Sequence, residues 1–364
     1  MNIYNFRIIQ PSSLDWEVIE NAYDSTCYHT KQWYDYIRKI GYQPFVVAID
    51  RGNETIGYFL GEKVGRIFSL ITAPLEGIGT YTQGLCMCQY INAMERISIY
   101  KSLAQWLFDN SIASYMQVED WQLKYDRTDW IEETTWQHVE LNEAKVQYEA
   151  RATLYVSLNK SIEDLWSGLH YKSAKYSVNK ARKLGLQVER INKREDIDAF
   201  VQVHYDQLKE VCARKGTHPK KSQTASRMRA LCNALFPNRV FMLQVVGNDE
   251  DGNKQIMSTG IFCIDKGECS YWTGASYARY QKYCPNELMV WEAMKMMSEE
   301  GAGDLNFCGM AGYKLKFGTK YAYVPRMIFY KYRWLYRLKC LIKSTYYNTR
   351  TSLQKIKKYL LTNK

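Results

Sequence analysis

Val240-Phe-Met-Leu-Gln-Val-Val246 reads as a buried strand, and Gly247 to Asn253, built of Gly, Asn, Asp and Glu, turns the chain. Gln255 to Asp265 then pairs back as a hairpin, and Cys269-Ser-Tyr-Trp-Thr273 continues the sheet. Pro285 opens a helix, Asn286 to Glu300, that Gly301 stops, and Asp304-Leu-Asn-Phe307 is the strand after it. Upstream, Glu195 to Cys212 places Ile197, Phe200, Val201, Tyr205, Leu208 and Val211 on one helical stripe. The same order occurs earlier in the chain. A helix from Thr30 to Ile40 ends at Gly41, and Pro44 to Asp50 is a strand. Arg51-Gly-Asn53 turns into Glu54 to Leu60, Ile67 to Ile71 is a third strand, and a Gly- and Pro-bearing loop follows. Asn92 to Phe108 is then a helix and Ser114 to Val118 a strand. The unit helix, hairpin, strand, helix, strand is thus written twice. Between the copies, Arg151 to Leu158 reads as a strand, and Ser161 caps a long basic helix running to Leu184 and closed by Gly185.

Composition narrows the class. A chain of 364 residues exceeds what one hydrophobic core usually supports, so two domains are expected. Hydrophobic residues at 46% and charged ones at 24% are values of a globular protein, not a disordered one. The ten cysteines are scattered, as at Cys27, Cys212, Cys232 and Cys340, and the tight pair Cys86/Cys88 is CxC. Free thiols in a reducing compartment fit better than a disulfide framework. Met1 to Gln10 shows no signal peptide, and no apolar run nears the ~20 residues of a membrane span. A cytoplasmic location is the expectation. Of the net charge of +11, eight Lys/Arg fall between Arg337 and Lys364 with no acid among them. A basic tail on a near-neutral body points to a membrane surface, a phosphorylated substrate or RNA, with a plain solvated helix as the alternative. Leu353, Ile356 and Leu360 make an apolar stripe, so 334–364 reads as a basic amphipathic helix able to lie on an anionic membrane face.

The five histidines (His29, His138, His170, His204, His218) form no metal-binding spacing, and CxxC, GxSxG, P-loop and GxGxxG patterns are absent, so no metal is expected. The doubled order instead fits the N-acetyltransferase-like (GNAT) fold, in which a sheet splays open before a helix whose N-terminus faces an anion. The expected fold class is α+β with mixed sheets, as two tandem GNAT-like domains. Residues 1–145 form the first, and 146–333 the second with the basic helix 161–185 inserted. Residues 334–364 follow as the tail. Three segments carry possible chemistry. Lys172 and Lys175 share a helix face suited to a phosphate, or to nothing but water. Thr273, Gly274 and Ala275, with Arg279, Gln281 and Asn286 before the late helix, lie where a donor would be held, although the coenzyme A signature Arg/Gln-x-x-Gly-x-Gly/Ala is missing. Tyr313-Lys-Leu-Lys-Phe-Gly318 places a lysine after the last strand of the unit, where it either holds an oxyanion or merely forms a short helical turn.

Several of these segments together resemble the Fem-type branch of the GNAT superfamily, the aminoacyltransferases of peptidoglycan bridges and their acyltransferase relatives in polysaccharide gene clusters. Ser25 to Trp33 is similar to the family's early aromatic and polar segment, and Asn179-Lys180-Ala181 to Gly185 to the second half of its basic helix. Asn286-Glu-Leu-Met-Val-Trp-Glu292 is similar to its late helix, and Tyr313-Lys314-x-x-Phe317-Gly318 to its Phe-Lys-x-x-Phe-Gly motif. The resemblance implies transfer of an acetyl, acyl or aminoacyl group to an amine of an amino sugar or amino acid in envelope or polysaccharide synthesis. It places Lys314 beside the reacting carbonyl, with Tyr313 able to return a proton to the leaving group. The acceptor, small or lipid-linked, then binds between the domains, with His29, Trp33, Tyr81, Lys172 and Lys175 as candidate contacts. The donor is acyl-CoA such as acetyl-CoA, an acyl carrier protein, or an aminoacyl-tRNA as in a bridge transferase; DNA is not expected as a partner. A non-catalytic RNA-binding protein, or a GNAT scaffold that only binds, remains as the alternative. Against RNA, Tyr4, Tyr23, Tyr58, Tyr155 and Tyr271 sit within apolar or strand segments rather than among Lys/Arg.

Overall fold

The computed structural model describes residues 3–64, 77–79, 83–126, 146–265 and 268–332, with isolated positions from 334 to 349. The expected strand Ile67–Ile71, Tyr81, the division near residue 145 and the stripe Leu353–Leu360 lie outside these residues. Among the described residues, no helix is long and apolar enough to cross a membrane.

The first half begins with β1 (Asn5–Ile8), α1 (Trp16–Glu20) and α2 (Lys31–Lys39). Thr30 caps α2 by accepting the Trp33 N–H at 3.1 Å, and Gly41, with φ +85°, ends it. β2 (Gln43–Arg51) and β3 (Glu54–Val64) form the hairpin around Gly52. β4 (Gly77–Gly79), β5 (Leu85–Met87), α3 (Ala93–Asp109), β6 (Tyr115–Glu119) and β7 (Tyr125–Asp126) follow. After β8 (Val146–Ser157), the second half runs through α4 (Ile162–Gly168), α5 (Tyr176–Lys183), β9 (Gln187–Arg190), α6 (Ile197–Arg214) and α7 (Ala225–Leu235). It continues with β10 (Val240–Asn248), β11 (Lys254–Cys263), β12 (Glu268–Ser276), α8 (Pro285–Glu299), β13 (Asp304–Asn306) and β14 (Lys320–Tyr330). The second copy of the helix, hairpin, strand, helix, strand unit is present in a mixed α+β fold, and of the first the helix, hairpin, later helix and last strand are present, its expected third strand lying outside the described residues.

The basic helix differs from expectation. Ser161 does cap, accepting the Asp164 N–H at 3.0 Å, but the helix to Leu184 is broken after Gly168. Leu169 is extended, Tyr171–Lys175 is a π-helical turn, and only then does α5 begin. The break has a tertiary cause. The His170 N–H is drawn to the Lys316 carbonyl at 2.9 Å, and Gly318 passes so close that a Cβ there would lie 2.8 Å from the Gly168 oxygen. Eight elements were not anticipated: β1, α1, β4 (inside the expected Gly- and Pro-bearing loop), β5, β7, β9, β14 and α7. The last carries an ordinary helical stripe of Met228, Leu231, Cys232 and Leu235.

Hydrogen bonds link the strands along one path, in which two mixed sheets are joined through β8 and β14. The joining strand serves both halves. Lys320 to Phe329 pairs along β8, while Arg326 to Tyr330 also pairs with β6, so that Met327 and Phe329 enter the core under α3. A second core lies between the other sheet and α8, around Phe241, Phe262, Met289 and Phe307. The third is shared: Trp33, Tyr36 and Ile37 of α2 pack on Phe200 and Val201 of α6 and on Met228 and Leu235 of α7. The α2–α7 contact adds to the β14–β6 pairing in seating the first half against the second, through a helix that neither copy of the repeated unit requires.

Candidate active site

β12 and β13 run parallel for three residue pairs, Glu268–Asp304, Cys269–Leu305 and Ser270–Asn306, and then part. From Tyr271 on, β12 keeps only its β11 partner among the described residues. A bulge at Trp272 falls at this point, since Tyr271 faces Phe262 but Thr273 faces Ile261. β13 turns away because the Phe307 N–H bonds to the Leu154 carbonyl on β8 at 2.8 Å. The sheet is therefore splayed where α8 begins.

Into this splay the 3-10 turn Gly312–Phe317 brings Lys314. Its Nζ donates to the Phe307 carbonyl at 2.5 Å and stands 6.0 Å from the Tyr271 ring centre and 5.8 Å from that of Tyr313. Burial lowers the Lys314 pKa, because an ammonium is poorly solvated there. The Tyr271 and Tyr313 hydroxyls are hydrogen-bonded, and each keeps its proton: burial raises Tyr271, and partial burial raises Tyr313, about half of which is exposed. Gly274 makes room for this pair, since a Cβ on it would sit 1.6 Å from the Tyr271 hydroxyl oxygen. Sequence reading named Gly274 as a donor contact but passed over Tyr271, the side chain that the glycine accommodates.

Beneath Lys314 lies a buried polar network. Glu268 Oε1 accepts from Asn306 Nδ2 at 2.8 Å and Ser270 Oγ at 3.1 Å. Asn306 Oδ1 in turn accepts from Thr153 Oγ1 at 2.7 Å and the Cys308 N–H at 2.8 Å, and Thr153 Oγ1 accepts the Gly309 N–H at 3.0 Å. These bonds hold the turn through Cys308 (φ +53°) and Gly309 (φ +139°) from which Phe307 offers its carbonyl to Lys314. Burial pushes Glu268 up to about 7, against the opposing pull of Asn306 and Ser270. A carboxyl raised on folding stabilises the fold fully below its unfolded value and loses that contribution as pH rises through the folded one. Each pH unit between the ordinary 4.5 and about 7 is worth about 1.4 kcal/mol, giving roughly 3 kcal/mol at most. Glu268→Gln should flatten the decline of the denaturation midpoint between pH 4.5 and 7 in chelated buffer; parallel curves for variant and parent would contradict this.

The other expected residues are distributed as follows. Thr273 Oγ1 lies 3.2 Å from His204 Nε2, toward α6. Thr259 donates to Gln207, so His204 Nδ1 donates to Thr259 and Nε2 accepts from Thr273, the tautomer this chain of bonds requires. Burial keeps that imidazole neutral, lowering it to about 4. Ala275 is buried, and Asn286 Nδ2 donates to Ser276 Oγ at 2.9 Å while its Oδ1 is buried with no partner among the described residues. Arg279 lies over Tyr277 and Tyr280, and the Gln281 carbonyl accepts the Cys284 N–H. These two serve a 3-10 segment, Ala278–Tyr283, that occupies the connection before α8. His29 is fully buried, its Nδ1 accepting the Thr26 N–H at 3.0 Å, a cap within the first half. Trp33 is buried 6.1 Å from Trp272, whose Nε1 donates to the Tyr28 hydroxyl at 3.3 Å. Lys172 is exposed, and Lys175 Nζ donates to the Ser167 carbonyl at 3.0 Å. The splay thus gathers Gly274, Tyr313 and Lys314, while His29 is drawn into the interior.

Residues 170–316 match the family model Acetyltransf_6, described as an acetyltransferase (GNAT) domain. They include both sides of the splay and Lys314, so the candidate site lies within the stretch that matches a GNAT domain. The whole chain has the fold of a solved structure described as FemX, at 13% identity and a TM-score of 0.65, covering 88% of this chain and 96% of that one. A conserved protein of unknown function from Bacteroides thetaiotaomicron VPI-5482 superposes at 10% identity and a TM-score of 0.55, covering 90% and 99%. At these identities the likeness is one of fold, a FemX-like fold for the chain with a GNAT-type match over residues 170–316. No curated protein matches the chain in sequence.

Proposed function

We propose that the protein moves an acyl or aminoacyl group from a thioester or ester onto an amine, with the carbonyl seated in the splay between β12 and β13. The observation that carries this reading is Lys314. One of its three ammonium donors is fixed on the Phe307 carbonyl, and among the described residues the other two meet no protein acceptor. A donor anchored in this way, in a partly buried site, suits the oxygen of a tetrahedral intermediate, where charge develops only during reaction. The amine nitrogen bonds to the carbonyl carbon, the carbon–sulfur or carbon–oxygen bond breaks, and the amine proton ends on the leaving group. Tyr313, still protonated and hydrogen-bonded to Tyr271, is placed to relay it. The remainder of the work is alignment of two substrates.

The Fem-like fold favours an amine in envelope or polysaccharide synthesis as acceptor. Acyl-CoA is the first donor to test, because GNAT domains generally take it. The 3-10 segment before α8 and the missing glycine signature make an aminoacyl ester the second. Thiol release from acetyl-CoA and longer acyl thioesters, across a panel of amino sugars and amino acids, tests the proposal. Cleavage of an aminoacyl ester is followed in parallel. Amine-dependent turnover with any donor supports it, and no turnover with either donor class leaves a scaffold that only binds.

A further inference from the structure

Where the two halves meet, three groups from distant parts of the chain converge in the shared core. Cys27 belongs to the short 3-10 turn ahead of α2, Cys263 ends β11, and Asp265 follows it. All three are buried, and their Sγ, Sγ and carboxylate oxygen atoms lie within 4.8 Å of one another. The sulfurs stand 2.9 Å apart, and Cys263 Sγ is 3.7 Å from Asp265 Oδ2. That carboxylate is oriented from both sides. Its Oδ2 accepts the Cys27 N–H at 2.7 Å, and its Oδ1 accepts from Arg239 Nη1 at 2.9 Å. Cys269 lies alongside, its sulfur 3.4 Å from the Asp265 carbonyl oxygen.

We propose that Cys27, Cys263 and Asp265 form a site for one divalent cation of the zinc class, which staples the first half to the second. Two thiolates and a carboxylate are a donor set that such ions take, at about 2.3 Å from sulfur and 2.0–2.2 Å from oxygen. Those lengths put a sulfur and an oxygen on one ion roughly 3.5 Å apart, close to the separation found. The two sulfurs need to separate by roughly 0.9 Å, within reach of a side-chain rotation. Binding releases the two thiol protons to solvent. The charges then cancel: two positive on the ion and one on Arg239, against two thiolates and one carboxylate. Without an ion, burial works against all three ligands, pushing Asp265 to about 6 and both thiols above their ordinary range. A fourth donor would come from Cys269 or from water. No spacing rule reveals such a site, because the cysteines are 236 residues apart. Its ligands are not those of the Lys314 splay, although Glu268 of the neighbouring network faces them, and the inference is independent of the acyl-transfer reading.

The test uses the full chain, purified under reduction, stripped with chelator and titrated with Co²⁺. The expected result is a thiolate-to-cobalt charge-transfer band in the near ultraviolet that saturates at one equivalent and is displaced by Zn²⁺. Zn²⁺ should also raise the thermal midpoint. Cys263→Ser should abolish the band, and Cys88→Ser, at an exposed thiol, should leave it intact. Absence of a saturable band on the parent protein overturns the proposal, whether or not the variants fold. So does finding only eight of the ten thiols titratable after unfolding without reductant, which would report a disulfide.

Discussion

Lys314→Ala should lower amine-dependent turnover by about 10²–10³, the usual cost of losing one donor to a developing oxyanion. The thermal midpoint should stay near the parent's. Two features separate this outcome from a structural effect. Lys314 is only partly buried, and among the described residues its ammonium makes a single hydrogen bond, to a carbonyl that the Glu268–Asn306–Thr153 network positions without it. Its pKa is also lowered by burial, so the active ammonium should lose its proton at a lower pH than an exposed lysine does. The parent should therefore show an alkaline decline in turnover, above the pH of peak rate, that the alanine variant lacks. A variant that keeps the parental rate while folded would remove Lys314 from the chemistry.

The largest effect on stability should come from Arg96→Ala, at about 3–5 kcal/mol. Arg96 of α3 is 2% exposed, with Nε on Asp120 Oδ2 at 2.5 Å, Nη1 on Asp24 Oδ2 and Nη2 on the Leu85 carbonyl at 2.8 Å. Both carboxylates have further duties. Asp120 accepts from the Tyr100 hydroxyl at 2.5 Å, and Asp24 from the Met87 N–H at 2.5 Å. Removing the guanidinium leaves two buried anions facing each other, and burial already raises Asp24 despite Arg96. Equilibrium urea denaturation of parent and variant measures this. A loss below about 1 kcal/mol would match a surface pair and contradict the assignment.

The sequence disclosed what local physics controls. Ser161 as a cap, Gly41 and Gly52 with positive φ, and Pro285 at the first turn of a helix are read over a few residues, and they lie where expected. The basic helix was misjudged because its break depends on the Lys316 carbonyl, which no window around Gly168 contains. Lys314 was legible through a motif, but its setting was not. Glu268, an acid at the head of a strand, reads as a surface group, and its burial depends on Asn306, 38 residues away. Arg96 within an amphipathic helix reads as solvated for the same reason. The cysteine pair spans still more of the chain, so composition alone suggested inert thiols.

The course of β14 bears on how the protein reaches its native state. Residues 115–119 emerge during synthesis long before 326–330, to which they are bonded across a separation of 207 residues between Glu119 and Arg326. Until then β6 has a vacant edge and the core under α3 lacks Met327 and Phe329. Such an edge is an aggregation hazard while it waits, and closing so long a loop slows the final pairing. The first half is then not a self-sufficient folding unit, because its core is completed by a strand of the second. A nascent first half would remain partly open and rely on the ribosome or a chaperone until the second half has passed it and returned.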